Sequence, residues 1–136
     1  MKKIKMSLLV SIAIAICLIA LVAHKPVLFT STSPHGEYEL TIQAWRGVSL
    51  LNAPEHLKIS VKKRGTLRQR TIYTEIHNDD IPLDPEYNIG ISWEDEKLNI
   101  MLRGTEQPPE IIVVFLNEDF IYEQYQNWER QGNGLA

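Results

Sequence analysis

One cysteine, Cys17, serves the whole chain of 136 residues, and it lies inside an apolar run near the N-terminus. The remainder can form neither a disulfide nor a thiolate metal site, so its core must hold without covalent help. Histidines are also scarce. His24, His35, His56 and His77 are all there are, and no two sit at metal-ligand spacing. No glycine loop of the phosphate-cradling kind occurs, and no serine stands in a Gly-x-Ser-x-Gly setting. These absences leave no catalytic, cofactor-binding or metal-binding residue to name. Residues 77–86 form an acidic stretch, but the ordered spacing and central glycine of a hand-type Ca²⁺ loop are missing, so it reads as a solvated loop. Paired carboxylates for glycoside chemistry need closeness in space, and nothing in the order of residues singles out a pair.

Long apolar runs are absent but for one. Residues 8–23 carry no charge, and ten of these sixteen are Leu, Ile or Val. Together the ten favour bilayer insertion by roughly 3–6 kcal/mol. As a helix the run is about 24 Å long, or about 27 Å with Met6 and Ser7, against a hydrocarbon core of ~30 Å. Residues 1–25 therefore read as an N-terminal transmembrane anchor or signal segment that meets the membrane through residues 6–23. The setting for cleavage is poor. No polar stretch precedes a cut after Ala23, and Leu21 occupies the position where a small residue is wanted. The alternative is a secreted form cut near Ala23. Ile16 before Cys17 argues against a lipoprotein. Lys2, Lys3 and Lys5 precede the run and only Lys25 follows closely, which leaves the N-terminus in the cytoplasm and the rest outside.

Charge of one sign is locally lacking as well. Residues 58–70 hold six basic side chains, Lys58, Lys62, Lys63, Arg64, Arg68 and Arg70, and no acidic one. Residues 77–129 hold thirteen Asp or Glu against Lys97 and Arg103. The bland reading is a solvated hairpin and an acidic remainder; the sharper one is two faces that steer a partner. Nucleic acid is disfavoured, because the basic cluster is not interleaved with aromatics suited to base stacking.

What is present is period-two alternation. Residues 26–33 read as a linker. Ser33-Pro34-His35-Gly36 has the residue pattern of a type I turn. Beyond it Tyr38, Leu40, Ile42 and Ala44 alternate with polar residues, as on a half-buried strand. Leu57, Ile59 and Val61 give a second strand and residues 67–76 a third. Tyr87, Ile89, Ile91 and Trp93 share a face of a fourth. Folding about Asp95-Glu96 pairs Trp93 with Leu98, Ile91 with Ile100, and Ile89 with Leu102, while Glu94 meets Lys97; one register satisfies all four. Residues 111–116, IIVVFL, read as a strand covered on both faces. Residues 117–130 suggest a short helix capped by Asn117, with Ile121, Tyr125 and Trp128 on one face. Residues 131–136 read as a flexible tail.

The phrase Ser33-Pro34-His35-Gly36-Glu37-Tyr38, with Ile91-Ser92-Trp93 and Leu98-Asn99-Ile100 further on, resembles small bacterial membrane-anchored or exported β-domain proteins. The resemblance covers roughly residues 33–116. It implies an architecture and a location, and no activity.

The expectation is a mainly β protein: an antiparallel sheet or small sandwich of about six strands over residues 34–130, with a short C-terminal helix and an N-terminal transmembrane helix. The expected function is non-catalytic binding, with an inhibitor that neutralises a toxin as the alternative and a small hydrolase third. Trp45 sits on the polar side of its strand and is a candidate for an exposed contact. Lys62, Lys63, Arg64 and Arg68 are the others, gathered near a hairpin tip. A protein partner and the membrane are the expected partners, and no cofactor is expected.

Overall fold

A computed structural model describes residues 2–23, 25–47, 53–79, 81–117 and 119–126. The order of elements is α1 (Lys2–Ala23), β1 (Val27–Thr32), β2 (Tyr38–Arg46), β3 (Glu55–Lys63), β4 (Gln69–Ile76), α2 (Pro85–Asn88), β5 (Ile89–Trp93), β6 (Lys97–Leu102), β7 (Glu110–Phe115) and β8 (Tyr122–Gln126). The strands make two antiparallel four-stranded sheets, ordered β1-β2-β3-β4 and β5-β6-β7-β8. The described residues are thus mainly β, with eight strands where about six were expected.

Each sheet is a meander whose turns follow from local sequence. Between β1 and β2 the amide of Gly36 donates to the Ser33 carbonyl at 2.8 Å, closing the turn, and Gly36 has φ +73°. Glycine adopts that left-handed backbone at no steric cost. The Ser33 hydroxyl accepts from the Tyr38 amide at 3.0 Å, and the Tyr38 hydroxyl donates at 2.9 Å to the carbonyl of Leu116, the residue that follows β7 of the other sheet. The Ser-Pro-x-Gly-x-Tyr phrase therefore builds a hairpin and ties the two sheets together. The β5–β6 hairpin has the expected register, with Trp93 opposite Leu98, Ile91 opposite Ile100, and Ile89 opposite Leu102. Its turn is closed by Glu94 N–H to the Lys97 carbonyl at 2.9 Å and a Glu94–Lys97 ion pair at 3.2 Å.

Alternation then sorts the side chains. Leu40, Ile42, Leu57, Ile59, Val61, Ile72 and Ile76 point from the first sheet into one core cluster with Ile89, Leu98, Ile100, Leu102, Ile112 and Val114 from the second. Polar bonds also cross between the layers. Trp93 Nε1 donates to Ser31 Oγ at 2.9 Å at one edge, and at the other Gln124 Nε2 donates to Thr74 Oγ1 at 3.4 Å while Thr74 Oγ1 donates to Glu110 Oε1 at 2.8 Å. β5 therefore lies over β1, and β8 over β4.

Three expectations are corrected. Residues 26–33 are not a linker, since β1 pairs along β2 and Phe29 packs against the core; the sandwich begins at Val27. The C-terminal helix is instead β8, exposed throughout and paired with β7. Without it, the free edge of β7 would leave buried backbone groups unpaired, a cost that outweighs a local helical pattern. Asn117 accepts from Asp119 N–H in a turn rather than capping a helix; Trp128 and residues 131–136 lie outside the described residues. Tyr87, expected on the fourth strand, lies instead in α2, which Asp84 caps and whose buried Asn88 bonds Asn78 and the Arg103 carbonyl. Among the described residues no helix is long and apolar enough to cross a membrane. The described side chains of α1 run over residues 6–21, about 24 Å of helix against a core of ~30 Å.

Candidate functional site

The register of the first sheet sets three residues in one row on its outer face. Trp45 on β2 lies opposite His56 on β3, which lies opposite Glu75 on β4. The next row along holds Gln43, Lys58 and Tyr73. These positions alternate with the core residues Ile42, Leu57 and Ile76, so strand parity alone turns them outward.

The row is organised by contacts among its own members. The Trp45 and His56 rings stack with centroids 5.6 Å apart and planes at 25°. His56 Nδ1 lies 3.0 Å from Glu75 Oε1, so the carboxylate fixes the imidazole's orientation. Lys25, just before β1, places its Nζ 3.7 Å from the Trp45 ring centroid and 5.8 Å from that of Tyr73. Its backbone is anchored there: Gln43 Nε2 donates to the Lys25 carbonyl at 2.8 Å, and Ala44 N–H donates to the Pro26 carbonyl at 3.2 Å.

Beside this row is a groove of about 530 Å³, lined by Trp45, His56, Tyr73 and Glu75 from the outer face and by Thr74, Glu110 and Gln126 toward the β4 and β8 edges, with His77 and Gln107 at one end. That volume lies in the range of small-ligand sites. Glu110 is buried, and its Oε1 accepts from both Thr74 and Gln124. Among the described residues the lining holds two carboxylates and no lysine or arginine. Among the described residues no group of three or more His, Cys, Asp or Glu is placed to hold a metal ion.

The residues singled out from sequence fall in two places. Trp45 is half-buried in the groove wall. Lys62, Lys63, Arg64 and Arg68 lie at the other end of β3, about 20 Å away at ~3.3 Å per residue. They are not one cluster of free charges. Lys62 is exposed on the outer face. Lys63 Nζ sits 5.8 Å from the Tyr38 ring centroid, Arg64 Nε is 3.7 Å from Glu39 Oε2, and Arg68 lies over the Phe120 ring at 5.7 Å. Sequence reading missed Lys25, His56, Tyr73 and Glu75 as partners of Trp45. Parity put the last three outward, but only the register between strands makes them neighbours.

The fold and site define the class: a two-layer antiparallel β-sandwich with an aromatic, acidic groove beside one edge. Comparison of the chain with protein-family models, with curated proteins and with solved structures gives no match in any of the three.

Proposed function

We propose that this chain is a binding module: a non-catalytic β-sandwich held at the outer face of the cytoplasmic membrane by its N-terminal helix, using the Trp45 groove as its contact site. The groove carries the reading. It presents aromatic faces and fixed carboxylates, the mix that orients a bound group, at a sheet edge open to a partner.

The membrane part rests on α1. Its described side chains are exposed all round, with Leu9 at 67 % and Ile19 at 68 %. A helix apolar on every side needs a cover, and a bilayer is one that suits a run flanked by lysines.

A photo-crosslinking residue at Gln126, in the groove wall, tests the contact in intact cells carrying the full chain. The expected result is a discrete adduct that disappears with Trp45→Ala. No adduct, or one indifferent to Trp45, would remove the groove from consideration.

A further inference from the structure

We propose that the Trp45–Tyr73 platform beside the groove recognises an alkylammonium group, and that Lys25 of the same chain, which is not among the residues lining the groove, occupies that platform in this structure. The inference deepens the binding reading above and rests on it. Two separate observations carry it.

The first is the seated lysine. An ammonium is attracted to the negative face of an aromatic ring within about 6 Å of its centroid, most strongly to tryptophan. Lys25 Nζ meets that condition at Trp45, at 3.7 Å, and again at Tyr73, at 5.8 Å. The platform therefore accepts a primary ammonium sterically and electrostatically. The second is the charge of the wall. Among the described residues Glu75 and Glu110 line the groove and no lysine or arginine does, while Lys25 and Lys58 stand next to it. Such a wall favours a cation over an anion or a neutral sugar.

Lys25 is a tethered occupant that a stronger ligand can displace. Its backbone carbonyl is held by Gln43, so the strap stays in place when the side chain leaves. A chain whose competent state is only partly populated binds with an affinity reduced by that fraction, and removing the occupant restores it. The ammonium can come from a lysine of a partner polypeptide or from a free diamine; both offer the same head group.

Calorimetry on the full chain in detergent micelles tests this. The probes are a capped pentapeptide with one central lysine, the same peptide with norleucine, and 1,5-diaminopentane. The lysine peptide should bind roughly three- to thirty-fold more tightly than the norleucine peptide, the span of a cation–π contact. Lys25→Ala should tighten the lysine peptide by roughly three-fold or more, and Glu75→Gln should weaken it. Diaminopentane equal to the peptide assigns a free amine; a peptide preference assigns a polypeptide. Equal binding of the lysine and norleucine peptides overturns the inference, and that control needs no variant to fold. So does a Lys25→Ala chain with unchanged affinity. A crosslinked adduct at Gln126 together with equal peptide binding would leave the groove as a contact site and remove only the ammonium assignment.

Discussion

Gly104 sits where a side chain has no room, because a Cβ there would run into the His77 carbonyl and press on the Gln107 side chain. The same His77 carbonyl accepts from Glu106 N–H, and His77 N–H donates to Gln107 Oε1 at 2.9 Å, so the approach is part of a closed local network. Gly104→Ala should cost about 1–3 kcal/mol, as overpacking does, read as a lower urea midpoint; an unmoved midpoint would show the loop simply shifts. The basic residues divide at this scale too. Arg70 Nε donates to the Phe120 carbonyl at 2.7 Å and its Nη2 to the Asp119 carbonyl at 3.0 Å, holding a buried Phe120 whose φ is +45°. Arg70→Ala should cost about 1.5–3 kcal/mol, while neutralising Lys63 and Arg64 together should stay within about 0.5 kcal/mol. Equal losses in the two denaturation curves would contradict the division. Six basic charges were legible in the sequence; their unequal duties were not, because the partners of Arg70 lie 49 and 50 residues away.

The β5–β6 hairpin is where local sequence and structure agree most closely. A single register put apolar against apolar three times, and no tertiary information was needed to choose it. Ile100 is fully buried whereas Ile91 is only half-buried. Ile100→Ala should therefore cost about 2–5 kcal/mol and Ile91→Ala distinctly less, in chemical denaturation; the reverse order would mean the two faces are assigned wrongly. β1 and β8, the strands misread as linker and helix, are both sheet edges. Their existence depends on a neighbour's unpaired backbone more than on their own side chains, and a neighbour's needs are not written in the segment itself. The groove shares that property. Trp45 was visible as an aromatic on a polar parity, but His56 and Glu75 join it only through two ladders of pairing.

At the scale of the whole molecule, the described side chains of the N-terminal helix are exposed while the sandwich buries its apolar side chains in its own core. Full-length protein should stay with membranes after carbonate extraction, detected by immunoblot; a soluble form beginning at His24 would show instead that the segment is removed. The sandwich has a different peculiarity, which concerns time. Each sheet is drawn from one unbroken stretch of chain, so the first is complete at Ile76 while its cover waits in residues 89–126. At a synthesis rate of ~5–20 residues per second, the fifty residues from 77 to 126 take about 2.5–10 s to appear. Throughout that interval Leu40, Ile42, Ile59 and Ile72 lack the second-sheet side chains that cover them in the complete fold. A chain halted after Ile76 should bind a hydrophobic dye and precipitate, and the complete chain should do neither. That exposure ends only when the second meander folds down onto the first.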